Sequence, residues 1–169
     1  MKRPLLVGSV TMVAQLLMAA SLLADKTKSE EAFDRLSTLK GEWKGEQESV
    51  KISLIYTLTA NGSALMEEFR PESGAVMITM FTVDGDHLIA THYCSAKNQP
   101  QMMTSAITDA QKPLAFSLAR ITGLKSPDDW HNTGLTMIQE ENDHLTQKWT
   151  YQSKAKSGKR IFRYTRVRP

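Results

Sequence analysis

The sequence predicts an all-β protein, a single antiparallel barrel of about eight to ten strands behind a short N-terminal helix. Three observations carry that expectation. Beyond Gly41 the apolar residues alternate with period two, the mark of strands with one buried face. Turn signals, Asn61-Gly62 and Asp84-Gly85 foremost, cut the alternation into short segments. Only one stretch, 28–39, has the three- and four-residue spacing of a helix. A meander of so many short strands must hide its edges, and closing into a barrel does so. A β-sandwich is the alternative.

Met1 to Ala24 opens on Lys2 and Arg3 and continues through an apolar run to the small residues Ala19, Ala20, Ser21 and Ala24. This is the layout of a secretory signal peptide, with cleavage expected between Ala19 and Asp25. An uncleaved inner-membrane anchor is the alternative, since about 20 apolar residues span a bilayer. The expected division is therefore a leader, 1–24, and one barrel domain, 25–169, held in the periplasm or secreted. Membrane contact is expected only through the leader, and only if it stays uncleaved.

Two of the 21 Lys and Arg, Lys2 and Arg3, stand in that leader against no acid, so the net charge of +3 falls to +1 without it. The one cysteine, Cys94, excludes an internal disulfide. Seven bases, from Lys154 to Arg168, crowd the last 16 residues without an acid. They read either as a solvated strand face or as a surface for an anionic partner. Nucleic acid is a poor fit, because few aromatics are interleaved among them.

Along the chain, Ala32, Phe33, Leu36 and Leu39 set the buried face of the helix, with Ser29 as its expected cap and Lys40-Gly41 as its end. Strands follow near 43–50, 51–59, 63–70, 75–83, 86–94, 101–108, 113–120, 133–140, 144–153 and 159–167. A two-residue loop at Asn61-Gly62 sets Leu58 opposite Leu65, Tyr56 opposite Glu67 and Leu54 opposite Phe69, all on one inward face. Glu67 is the single acid in that row. A loop at Asp84-Gly85 sets His92 opposite Met77, with Phe81, Leu88, Ala90 and Cys94 on the same side. The other side carries Val76, Ile78, Met80, Ile89 and Tyr93 and is as apolar, so the pattern leaves both sides open as the interior. Asn142-Asp143 is a weaker turn. After it, Leu145, Gln147, Trp149 and Tyr151 share a face.

Gly41-Glu42-Trp43 opens the first strand, and Phe162, Tyr164 and Arg166 share a face of the last. In these residues the chain resembles the calycin superfamily, the lipocalin-like barrels, where Gly-x-Trp opens strand one and a late basic residue packs over the indole. The resemblance makes Gly41, Trp43 and Arg166 the signature of the fold, with Arg166 covering Trp43 in a cation–π contact. Thr91-His92-Tyr93-Cys94, then Asn98-Gln99-Pro100, is similar to stretches in a family of bacterial lipocalin-like proteins without an established activity. Glu67 after its Asn-Gly turn, and Asp143-His144-Leu145 before Trp149, fit the same family. The resemblance implies a lipocalin-like barrel and little else, and no cofactor is expected. A haem-binding branch of small calycin barrels uses a late histidine, and no His follows His144 here.

No nucleophile elbow, Gly-rich phosphate loop or metal-ligand spacing occurs, so neither catalytic nor metal residues are assigned. What the resemblance and the apolar rows together suggest is a lumen that binds a small, partly apolar molecule. Glu67, Gln147 and, if its side of the hairpin is the interior, His92 are the strand residues expected to orient a ligand; Asn98, Gln99 and His131, beside Trp130, are expected on loops at the barrel mouth. Trp130 itself reads as a lid or a plug. Two other readings stand beside this one. Glu67 and His92 would form an acid–base pair in a small enzyme, or the basic C-terminal strand would serve an envelope interaction module.

Overall fold

The structure, a computed structural model, describes residues 25–141 and 143–168. The expected leader, 1–24, and Asn142 of the Asn142-Asp143 turn lie outside the described residues. Helix α1 spans Lys28–Ser37 and buries Ser29, Ala32, Phe33 and Leu36. Its cap is Thr27 rather than the expected Ser29: Thr-x-x-Glu forms a capping box in which the Glu30 amide donates to the Thr27 hydroxyl and the Thr27 amide to the Glu30 carboxylate. Ser29, one turn-position inside, instead donates to the Gly85 carbonyl at 2.6 Å and ties the helix to the barrel.

Ten strands follow: β1 (Gly41–Gln47), β2 (Val50–Thr59), β3 (Ala64–Pro71), β4 (Met77–Asp84), β5 (His87–Tyr93), β6 (Gln99–Thr104), β7 (Leu114–Thr122), β8 (His131–Glu140), β9 (His144–Gln152) and β10 (Ser157–Arg166). Each pairs antiparallel with its neighbours in sequence, and β10 pairs with β1, so the sheet closes on itself. Among the described residues no strand is left with a free edge, which is what closure achieves for a meander.

The first hairpin has the register expected of it, with Tyr56 opposite Glu67 and Leu54 opposite Phe69. Its loop turns through Asn61 and Gly62, both at positive φ, with the Ser63 amide donating to the Ala60 carbonyl. Leu54, Tyr56, Leu65 and Glu67 are buried, whereas Leu58, at the loop end of the row, is 39% exposed. The β4–β5 hairpin departs from expectation by two residues. Its loop is Gly85-Asp86, with positive φ at Gly85 alone, so His92 lies opposite Thr79 instead of Met77. A slip of two preserves the faces, and the interior side is the one bearing Phe81, Leu88, Ala90 and His92. A further correction concerns Gln99 and Pro100, which belong to strand β6 and not to a loop. Pairing of β6 with β5 begins only at Gln101, so no partner on that side calls for the amide hydrogen that Pro100 lacks.

The two barrel ends differ. One is closed by α1, whose Phe33 and Leu36 join the core beside Leu39 and Trp43. The helix is tied to several loops of that end: Arg35 donates to the Lys112 carbonyl, and Gln139 donates to the Arg35 carbonyl. Trp43, 2% exposed, donates its indole N–H to the Leu39 carbonyl at 2.7 Å. Arg166 lies opposite Trp43 in register, its guanidinium 4.2 Å from the centre of the indole ring. Gly41, at φ 121°, sits against that guanidinium; a Cβ there would lie 3.6 Å from Nη1. Among the described residues the far end has no such helix, and it contains the cavity.

Candidate functional site

At the open end a cavity of about 320 Å³ descends between the starts of β2, β4, β8 and β10 and the ends of β3, β5 and β9. Its walls follow from strand alternation: Ile52, Phe69, Met77, Trp149 and Phe162 are inward residues of five strands. Phe69 and Phe162 meet edge to face at 5.6 Å. At the rim, Trp130 stacks on Tyr151 at 5.8 Å, and the Arg160 guanidinium lies 5.7 Å from the centre of the Tyr151 ring. Arg160 is opposite Trp149 in the β9–β10 ladder, which turns it inward although six other bases surround it in sequence. Tyr151 lies across the neighbouring strand because its partner there is Gly158; a Cβ at that position would approach the tyrosine hydroxyl to 2.7 Å.

His92 lines the inner part of the cavity, its ring 4.9 Å from that of Trp149. Behind it runs a polar row made by register alone. Tyr56, Glu67, Thr79 and His92 are successive cross-strand neighbours on β2, β3, β4 and β5. Tyr56 donates its hydroxyl to Glu67 Oε2 at 2.5 Å. Thr79 lies opposite Glu67 in register, and its hydroxyl is 3.0 Å from His92 Nδ1. Gln147 reaches in from β9, and Trp149 settles its orientation. An indole N–H only donates, so the Gln147 atom 3.0 Å from it is the amide oxygen. The amide nitrogen therefore faces Glu67 Oε2 at 2.5 Å and the Tyr56 hydroxyl at 2.9 Å. Trp149, Gln147, Glu67, Thr79 and His92 close a ring of contacts across the barrel.

Burial governs the charges in this ring. Glu67 is 1% exposed, and loss of water pushes its carboxyl up to about 7 against the hydrogen bonds from Tyr56 and Gln147 that favour the ionised form. His92 is pushed down to about 4 by the same cause and is neutral at pH 7. Tyr56 is driven well above the ordinary phenol range, by burial first and by the Glu67 charge second, so it keeps its proton and donates. Tyr164, also driven up by burial and by Glu67, has a buried hydroxyl without a hydrogen-bond partner among the described residues.

Of the residues expected to bind a ligand, His92 alone lines the cavity. Glu67 and Gln147 lie beneath it, Gln147 bonded to the Trp149 indole that packs on His92 and Glu67 opposite Thr79 in register. Asn98 is buried in the β5–β6 loop and donates to the Trp130 carbonyl at 2.8 Å, anchoring the segment that carries the rim indole. His131 is buried at the start of β8, its Nδ1–H donating to the Asp129 carbonyl at 2.7 Å. Gln99 belongs to the outward-facing row of β6 and accepts from the Thr122 hydroxyl. Thr79, Asn132 and Arg160 enter the picture from the structure. Arg160 was legible as the residue two before Phe162, on the same strand face. Thr79 was hidden by the two-residue slip, and Asn132 by the irregularity in the β8–β9 ladder between Asn132 and Gly134. A scan of protein-family models matches none to this chain, and a search of curated proteins finds no match.

Proposed function

We propose that this protein is an exported, lipocalin-like barrel that binds a small, partly apolar molecule in the cavity at its open end. The observation that carries the reading is the cavity itself: about 320 Å³, walled by Ile52, Phe69, Met77, Trp149 and Phe162, with His92 and Asn132 as buried polar groups in its lining and Arg160 at the rim. Known ligand sites begin at about this size and share this mix of apolar wall and few polar groups. The aromatic walls supply contact area, and His92 and Arg160 supply direction. Glu67 is not among the lining residues, so a molecule in the cavity meets His92 first; this favours binding over acid–base catalysis by the pair.

Native mass spectrometry of the protein purified from its source tests the binding. The expected result is a bound mass that is lost on unfolding and absent from a Met77→Trp variant, which fills the cavity. A bare protein mass, with no thermal shift from any member of a panel of small aromatic and aliphatic compounds, would overturn the proposal. Export is a separate part of the reading, supported by the charged start, apolar run and small-residue cluster of the first 24 residues. Intact mass of the exported protein is expected to begin between Ala19 and Asp25; a soluble cytoplasmic product beginning at Met1 would refute it.

A further inference from the structure

Strand register imposes a gradient of chemistry on the cavity. Inward from the mouth, β10 presents Arg160, Phe162 and Tyr164, and beside it β9 presents Tyr151, Trp149 and Gln147. A cation therefore stands at the rim, aromatic rings in the middle and hydrogen-bonding groups at the base. The basic run of the C-terminus divides along the same line. Arg166 and Arg168 pair with Asp143 at the closed end, and Lys154 pairs with Asp128. Arg160, the cation of the lining, has no carboxylate within ion-pair distance among the described residues. Asn132 stands near the same level. It lies opposite Tyr151 on β8 and is buried, and its amide has no hydrogen-bond partner among the described residues. Arg160 and Asn132 thus flank Tyr151 from its two neighbouring strands and still have donors to give. The base is different. His92 lines it, neutral at pH 7 and with Nε2 unpartnered among the described residues, and Glu67 follows two strands along the same row. A carboxylate driven that far would leave water to face an uncharged ring with another carboxyl behind it. Trp149 spans the two ends: it is opposite Arg160 in the ladder, and its ring lies 4.9 Å from that of His92. Its indole N–H is given to Gln147, so what it offers a ligand is aromatic surface.

We propose that the ligand is a small aromatic monocarboxylate with a hydrogen-bonding group at its far end, held with the carboxylate at the mouth between Arg160 and Asn132, the ring against Trp149 and the far group at His92. The inference rests on the cavity being the binding site, and it adds the class of ligand and its direction of entry, ring first. A guanidinium recognises a carboxylate through paired N–H donors, and a cation at the mouth draws anions toward it. One indole bridges Arg160 and His92, so one ring with a short tether matches the distance. About 320 Å³ is room for roughly ten waters at ~30 Å³ each, which limits the ligand to on the order of ten to fifteen non-hydrogen atoms. Glu48, on the β1–β2 turn, is the lining's other charged residue, and its carboxylate sets the mouth against a second anionic group.

Isothermal titration calorimetry with para-hydroxyphenylpropionate, its methyl ester and phenylpropionate tests the assignment. The wild type should bind the hydroxylated acid at least about fivefold more tightly than its ester. Arg160→Gln, a change at an exposed position, should bring the two level by weakening the acid alone. Phenylpropionate should bind several-fold more weakly than the hydroxylated acid, and His92→Phe, which keeps a ring and removes both nitrogens, should abolish that difference. Direction is read on the wild type itself. Nuclear Overhauser effects of the bound acid should run from the ring protons beside its hydroxyl to Trp149, and from the methylene beside its carboxylate to Tyr151. Equal binding of acid and ester, or a preference for the acid that survives Arg160→Gln, would overturn the anchor and leave the cavity standing as the binding site. Reversed contacts, with the methylene at Trp149 and the ring at Tyr151, would overturn the direction of entry. Absence of binding by all three probes, the uncharged ester among them, would count against the cavity itself and take the inference with it.

Discussion

Glu67 and His92 are buried in one cross-strand row, and burial moves them in opposite directions along the pH axis, with consequences for stability. Glu67 titrates at about 7 when folded against an ordinary 4.5. The folded state holds that proton more tightly, so this contribution is full below about pH 4.5 and is lost as pH rises through 7. His92 titrates at about 4 when folded against an ordinary 6.5. Its contribution is full above about pH 6.5 and is lost as pH falls through 4. Each is worth about 3 kcal/mol across its window, and the windows overlap almost completely, so in the wild type the two trends oppose each other. Urea denaturation from pH 4 to pH 8 should separate them. Glu67→Gln should lose about 3 kcal/mol on going from pH 7 down to 4, and His92→Asn about the same on going from pH 4.5 up to 7.5. Parallel pH profiles for the two variants would show that the burial of one of these groups is not what sets its titration. At this scale the sequence was informative about identity and silent about linkage. Glu67 stood out as an acid in an apolar row opposite Tyr56, but Thr79 and His92 join that row only through the register of β4 and β5, and only the closed barrel brings Gln147 to it from β9.

Among the strands, glycine positions show where one element depends on its neighbour's bulk. Gly45 of β1 lies opposite Tyr164 of β10, and a Cβ there would come within 2.4 Å of the Arg163 carbonyl and 2.6 Å of the Tyr164 ring. Gly45→Ala should therefore cost about 1–3 kcal/mol, since backbone on one side and a fully packed ring on the other leave nothing cheap to move. Gly62→Ala meets open space, and only its φ of 88° opposes the substitution, so its cost should stay near 1 kcal/mol. Equal losses in a urea titration of the two variants would contradict this reading of the β1–β10 contact. Hairpins were the most legible elements. Alternation and Asn61-Gly62 together determine the β2–β3 pairing, because a one-residue slip would turn every inward side chain out. The β4–β5 hairpin was less so, since both of its faces are apolar and a slip of two exchanges partners without exchanging faces. That slip replaced Met77 by Thr79 beside His92 and kept the link to Glu67 out of view. The helix cap was misplaced for a simpler reason: Thr27 and Ser29 are both good caps, and Glu30 selects the residue three before it.

Closing the barrel joins the first strand to the last, and the whole molecule depends on how well that seam holds. The described register of β1 with β10 covers only Trp43–Arg166, Lys44–Thr165 and Gly45–Tyr164, whereas β1 with β2 runs from Gly41–Tyr56 to Gln47–Val50. The alternating pattern could show that the meander must close, but not that its last ladder would be short, nor that α1 would plug one end and leave a cavity at the other; those follow from strand offsets and side-chain volumes summed around the ring. Arg166 compensates for the short ladder. It donates to the Thr38 and Lys40 carbonyls at 2.8 and 2.9 Å and to Asp143 at 3.0 Å, and it covers the Trp43 indole. One planar guanidinium thus joins the end of α1, the start of β1, the β8–β9 turn and β10. Arg166→Ala should cost about 3 kcal/mol, combining charged hydrogen bonds with the cation–π contact. The loss should also be local in hydrogen exchange: amides of β1 and β10 should exchange faster, while those of the β4–β5 ladder, on the far side of the barrel, should slow or hold relative to them. Arg166→Lys should restore little, because a single ammonium cannot reach the Thr38 and Lys40 carbonyls and the Asp143 carboxylate together. Full rescue by lysine would show that charge alone holds the seam, and uniform acceleration across all ten strands would show that the barrel opens as one unit with no weak line between its ends.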